Sequence, residues 1–131
     1  MSLEVVAAII FVENKILVTQ RKYHKNPAFS YKFEFPGGKV ENNEDKITAL
    51  RRELLEELNL ELTNFKHFAS YNYSYDTNKI KLHFFLSNVN ELNLTLKVHE
   101  AYKLVTVKQL SQLDWLAADY EVIKKLQSKY L

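Results

Sequence analysis

Hydrophobic positions along this chain keep two rhythms. Residues 4–12, EVVAAIIFV, and 15–21, KILVTQR, are runs rich in branched apolar side chains on either side of Glu13 and Asn14. They predict a β-hairpin. A second pair, 65–76 (FKHFASYNYSYD) and 79–88 (KIKLHFFLSN), flanks Thr77 and Asn78 and predicts another hairpin. AYKLVTV at 101–107 reads as one further strand, and KFEF at 32–35 as a short extended piece, because the residue before Pro36 is steered away from helix. Residues 22–31, polar and aromatic and containing Pro27, read as a loop.

The helical rhythm appears twice. Ile47, Leu50, Leu54 and Leu58 recur at three- and four-residue steps and predict a helix of about four turns, with Asn43 placed to cap its start. Val122, Ile123 and Leu126 predict a second helix within residues 117–130. Strands on both sides of one helix, with another helix at the end, make an α/β fold in which a mixed sheet lies between helices.

Composition narrows the classes. At 131 residues, 47% hydrophobic and 26% charged, the chain has the size of a single domain, 1–131. It has no cysteine, which excludes disulfide scaffolds, thiol nucleophiles and thiolate metal sites and suits a reducing, cytoplasmic location. The apolar run Val5 to Val12 is too short to cross a bilayer and follows no basic leader, so it is read as a buried strand. A net charge of +2 without a polybasic tract gives no reason to expect a nucleic-acid polymer or a membrane as partner. An anionic small molecule remains compatible.

The chemistry concentrates in EFPGGKVENNEDKITALRRELLEEL, residues 34–58. Both glycines of the chain, Gly37 and Gly38, lie here. A glycine pair after proline is ordinarily a turn, but glycine also permits close backbone approach and lets a main-chain carbonyl reach an ion or a phosphate. Glu53, Glu56 and Glu57 follow at helical spacing and project within about a third of the circumference. At about 5 Å apart they would repel by roughly 3 kcal/mol per pair at an effective dielectric near 20. A divalent cation removes that cost, and an all-oxygen ligand set suits Mg²⁺ or Mn²⁺. The competing reading is a solvated charged face, with Arg52 paired to Glu56 at i,i+4.

The span GKVENNEDKITALRRELLEELNL resembles the signature of the Nudix hydrolases: Gly38, Glu44, Arg52, Glu53, Leu54, Glu56, Glu57 and Leu60 fall at its spacing, and Asn59 stands where the family has glycine. Residues 32–41 and 99–126 resemble the corresponding parts of MutT-type enzymes and bacterial CTP pyrophosphohydrolases. The resemblance implies the Nudix α/β/α sandwich. It also implies Mg²⁺- or Mn²⁺-dependent hydrolysis of a nucleoside triphosphate, CTP-like or oxidised dGTP, to the monophosphate and pyrophosphate. Other nucleoside diphosphate derivatives, or nucleotide sensing without turnover, are the alternatives.

By the same resemblance, Glu53 and Glu57 are principal metal ligands, the Gly37 carbonyl is a main-chain ligand, and Glu56 is a further ligand or a base. Glu100 is an additional acid facing the metals and the candidate for general base, with Glu56 as its rival. Arg52 pairs with Glu44 and, with Gly38, shapes the motif. Arg21, Glu34, Lys39 and Asp119 are substrate-binding positions, Arg21 and Lys39 toward the triphosphate. Asp119 stands where a base-reading asparagine is usual; capping the last helix is its alternative. Tyr73, Phe84 and Phe85 are candidates to wall a nucleobase, or else core. His24, His67, His83 and His99 show no zinc spacing and carry no assigned role. The oligomeric state cannot be read from these patterns.

Overall fold

A computed structural model describes residues 2–75 and 77–131 of the chain. Its strands are β1 (Ser2–Val12), β2 (Lys15–Gln20), β3 (Phe33–Glu34), β4 (Gly37–Lys39), β5 (Lys66–Tyr75), β6 (Asn78–Val89) and β7 (Ala101–Val105). The two α-helices are α1 (Lys46–Leu58) and α2 (Tyr120–Tyr130), and short 3₁₀ turns cover Lys108–Gln112 and Ala117–Asp119. One mixed sheet runs β3-β2-β1-β6-β5, with β4 added to β1 and β7 to β2. Only β1 and β6 run parallel, paired from Ser2↔Lys79 to Val12↔Val89.

Alternation along the central strands sorts the core into two layers. Ala7 and Ile9 of β1, Ile16 and Val18 of β2, and Leu82 and Phe84 of β6 pack with Val122, Ile123 and Leu126 of α2. Val6, Ala8 and Ile10, Leu17, and Phe85 face the other way onto Ala49, Leu50, Leu54 and Leu58 of α1. A strand between two helical layers is apolar on both faces, hence the continuous runs at 5–12 and 16–18. Leu50, Leu54 and Leu58 have no exposed surface, and burying each side chain contributes about 1.5–3 kcal/mol.

The structure corrects several local expectations. Asp45, not Asn43, caps α1: its side chain accepts from the Thr48 N–H at 2.8 Å, while Asn43 is in a left-handed turn at φ 64°. Of the two readings of the glycine pair, the structure shows close backbone approach: both residues lie in strand β4, paired Val6↔Gly38 and Ala7↔Gly37. Asn78 belongs to β6, pairing with Tyr75, and β7 stops at Val105, short of Thr106 and Val107. The expected strand end at Asp76 lies outside the described residues.

Departure from the expected glycine at 59 has a clear local outcome. Asn59 takes the left-handed conformation, φ 53° and ψ 39°, and its N–H donates to Leu55 O at 3.0 Å. The next N–H, of Leu60, reaches back to Leu54 O. Asparagine carries some of the steric cost that glycine lacks there. Asn59→Gly is therefore expected to stabilise the fold by about 0.5 kcal/mol, read from the urea midpoint at unchanged slope. A destabilised variant would contradict this account of the helix end.

The position of the functional cleft follows from how β2 leaves β1. They pair only at Phe11↔Ile16 and Val12↔Lys15, next to the turn. From there β2 is flanked by β7 over Ile16 to Gln20 and by β3 at Thr19 and Gln20. The edge of β1 that β2 gives up is taken by β4. Two branches of one sheet diverge, and charged residues of α1, β3 and β4 are among those that line the opening.

Candidate functional site

The cleft at this divergence has a volume of ≈ 710 Å³, within the range of small-molecule sites. Glu53 and Glu57 of α1, Gly37, Gly38 and Lys39 of β4, and Arg21, Glu34 and Asp119 all line it. Its apolar wall includes Val5, Ala7, Tyr73, Ile80 and Leu82, which belong to the α2 side of the sheet. Glu53 and Glu57, in contrast, come from the helix on the opposite side. Both glycines lie where the two meet. A Cβ at Gly37 would run into the carbonyl oxygen of Val6, and one at Gly38 into the Glu53 carboxylate. Close approach, rather than a turn, explains why glycine stands at both positions.

The structure divides the helical trio of acids. Glu53 and Glu57 face the cleft, whereas Glu56 is exposed on the outer side and accepts from Arg52 Nη1 at 2.7 Å. Arg52 is the hub of that side: Nε and Nη2 fork onto Glu44 at 2.8 and 3.0 Å, Nη2 also donates to Lys39 O, and Nη1 donates to Glu53 at 2.9 Å. The Arg52 fork, aided by the Glu41 N–H, holds the Glu44 carboxyl below its ordinary range. One guanidinium thereby ties the 39–44 loop to α1. Glu100 has an exposed side chain and does not line the cleft, although its N–H anchors the chain to Gln20 O at 2.8 Å.

Inside the cleft, Glu57 is the acid left short of a partner. Burial, then the charges of Glu34 and Glu53, push the Glu57 carboxyl up to about 8; the Gly37 amide and the Arg21 charge offset only part of this. Its Oε1 is buried and accepts no hydrogen bond. Burial also raises Glu53, against the pull of Arg52. Among the described residues, no three acidic or histidine side chains are drawn together as a closed ligand set. A cation entering here would therefore meet two carboxyl groups, Glu53 and Glu57, that burial disfavours as bare anions. An orphaned buried oxygen and an all-oxygen donor set fit a hard dication.

The opposite end of the cleft is built for a different task. Asp119 is buried and accepts from the Phe35 N–H at 3.4 Å; it stands at the N-terminal boundary of α2 but its side chain makes no capping hydrogen bond to that helix. Burial, then the Glu34 charge, push its carboxyl up to about 8. It keeps its proton at neutral pH and can both donate and accept. Of the aromatic candidates, only Tyr73 lines the cleft. Phe84 and Phe85 lie in opposite core layers, as adjacent residues of one strand must.

Asp119 sets a pH dependence of stability. Its carboxyl stands near 8 in the fold against 3.8 for an unperturbed aspartate, so the fold binds the extra proton. Stability is greatest below the lower value and is lost as pH rises through the higher one. Asp119→Asn removes that loss. The variant should melt above the wild type at pH 9, by about 4 °C for each kcal/mol regained, and close to it at pH 4. Equal melting differences at both pH values would contradict a protonated, buried Asp119.

One contact had no signal in the sequence. His99, with a side chain only 2% exposed, lies 2.9 Å through Nε2 from Glu34 Oε2, while Arg21 donates to Glu34 Oε1 at 3.2 Å. The two partners are 65 residues apart. Spacing rules for metal sites do not reach such a pair.

Comparison with known proteins places this geometry. The family model described as NUDIX domain matches residues 1–126. A relative from Buchnera aphidicola subsp. Schizaphis graminum, named 8-oxo-dGTP diphosphatase, is 35% identical over 94% of this chain and 92% of its own. The Escherichia coli K12 protein named CTP pyrophosphohydrolase is 42% identical over 79% of this chain and 73% of its own. The solution structure of the E. coli ORF135 protein superposes with a TM-score of 0.85 at 32% identity, covering 97% of this chain and 89% of that one.

Proposed function

This chain belongs to the NUDIX domain family, and on that premise we propose that it is a nucleoside triphosphate pyrophosphohydrolase working with Mg²⁺ or Mn²⁺. The substrate would be a CTP-like pyrimidine or an oxidised dGTP, released as the monophosphate and pyrophosphate. The names of its relatives, 8-oxo-dGTP diphosphatase and CTP pyrophosphohydrolase, support that class. The observation that carries the reading is the buried, unpartnered Glu57 oxygen in a cleft that Glu34, Glu41 and Glu53 also line, beside Arg21 and Lys39. A polyphosphate does not enter so acidic a cleft without cations.

Glu53 and Glu57 would hold the dication with a main-chain oxygen of Gly37. When bound, such an ion polarises phosphate oxygens and lowers the pKa of water. Lys39 and Arg21 would meet the polyphosphate. Glu56 and Glu100 stay rivals for the water's proton, and neither lines the cleft. Asp119, carrying its proton, would donate one hydrogen bond and accept another at the edge of the base, the task an asparagine amide performs. Such a protein needs no polymer and no membrane; none of its described helices is long and apolar enough to cross a bilayer, and we place it in the cytoplasm.

The test is pyrophosphate release from a panel of ordinary and oxidised nucleoside triphosphates, with and without Mg²⁺. Turnover that needs the ion and ranks a pyrimidine or an oxidised purine first supports the proposal. Tight nucleotide binding without release of pyrophosphate would overturn it in favour of a sensing domain.

A further inference from the structure

We propose that His99 is a positioning residue for the nucleotide reaction, holding Glu34 at the cleft wall between the acids of α1 and Asp119; the proposal rests on the hydrolytic reading above. Glu34 lines the cleft, and its charge acts on both Glu57 and Asp119. A carboxylate among other carboxylates turns toward solvent unless donors hold it. Glu34 has one donor on each oxygen, Arg21 on Oε1 and His99 on Oε2.

Three separate segments converge on the end of β2 to build this node. On one edge, Thr19 pairs with Glu34 and its hydroxyl donates to Glu34 O at 3.0 Å. On the other edge Thr19 pairs with Tyr102 and Gln20 with Ala101, while Glu100 N–H donates to Gln20 O. That edge delivers His99. Arg21 follows directly at the end of the strand, its N–H fixed to Lys32 O at 2.9 Å. Thus the backbone alone sets where donor, acceptor and guanidinium meet.

Hydrogen bonding also selects the form of the imidazole. Glu34 Oε2 can only accept, so Nε2 carries the hydrogen; Nδ1 is buried without a partner. A lone pair left unpaired there costs less than an orphaned N–H. His99 has no other hydrogen-bonding duty on its ring. Its effect on the cleft passes through Glu34, whose remaining lone pairs are available to a hydroxyl or amino group of the nucleotide between polyphosphate and base.

A double-mutant cycle tests this. His99→Leu should lower kcat/KM by about 10- to 100-fold, the range for partners that orient a functional group. His99→Gln, whose amide reaches the position of Nε2, should recover most of that loss; His99→Asn, which falls short of Glu34, should not. In a Glu34→Gln background His99→Leu should cost less than about twofold more. The same cycle is read in the affinity for the nucleoside monophosphate, and melting curves establish that each variant is folded at the assay temperature.

Additive losses, or equal activities for His99→Gln and His99→Asn, would overturn the assignment. Wild-type turnover with an additive cycle removes His99 alone. Absence of turnover with non-additivity intact in the affinities removes the hydrolytic reading and leaves the Glu34–His99 coupling standing.

Discussion

Replacing Glu57 by glutamine should lower pyrophosphate release by about 10³-fold or more, since a dication in such a site contributes several kcal/mol and each 1.36 kcal/mol is tenfold. The substitution keeps the shape of the side chain and removes the charge. What distinguishes this loss from misfolding is the pH dependence of stability. The Glu57 carboxyl stands near 8 in the fold against an ordinary 4.5. Without metal, the wild type is most stable below the lower value and loses that contribution as pH rises through the higher one. Glu57→Gln has no proton to lose. Its melting temperature at pH 9, in chelator, should equal or exceed that of the wild type while its turnover is nearly gone. Activity within tenfold of the wild type would refute the role given to Glu57.

Gly37→Ala should be as damaging to the fold as Glu57→Gln is to turnover. A methyl group there meets the Val6 carbonyl oxygen, a backbone atom held in the β4 to β1 ladder, so the neighbour cannot swing away. We expect a loss of about 3 kcal/mol or more, a fall in melting temperature of about 10 °C or beyond. Gly38→Ala supplies the contrast. The atoms its methyl group meets first are those of the Glu53 carboxylate, the far end of a flexible side chain. That variant should melt within a few degrees of the wild type and yet lose affinity for divalent ions, because Glu53 must leave the cleft. Equal melting temperatures for the two alanine variants would show that the β4 to β1 spacing is looser than described.

Much of the fold could be read in advance, and the exceptions share a cause. The hairpin at Glu13 and Asn14, the stripe Leu50, Leu54 and Leu58, and the terminal helix are short-range patterns, and periodicity reports such patterns directly. The cap of α1 was misplaced because asparagine and aspartate both cap, and only the register of the first turn decides between Asn43 and Asp45. The pairing of β4 has no local signature, because its partner, β1, lies thirty-odd residues upstream and glycine says nothing about partners.

The site follows the same rule. Spacing along a helix put Glu53, Glu56 and Glu57 on one face, and the spacing is real. What turns Glu56 outward is the fork of Arg52, a matter of side-chain contacts. Phe84 and Phe85 could have been separated from sequence alone, because neighbours on a strand cannot face one cavity. Nothing local announces that His99 meets Glu34, since only the pairing of β7 and β3 along opposite edges of β2 brings them together.

Parting of β2 from β1 has a consequence for how such a protein diversifies. Glu53, Glu57 and Gly37, the groups proposed to hold an ion, ride with α1 and β4, while Arg21, Glu34 and His99 are carried by the other limb. Each limb has its own backbone ladder. If the proposed roles hold, a lineage can therefore redraft its choice of nucleotide on one limb while the other half is inherited unaltered.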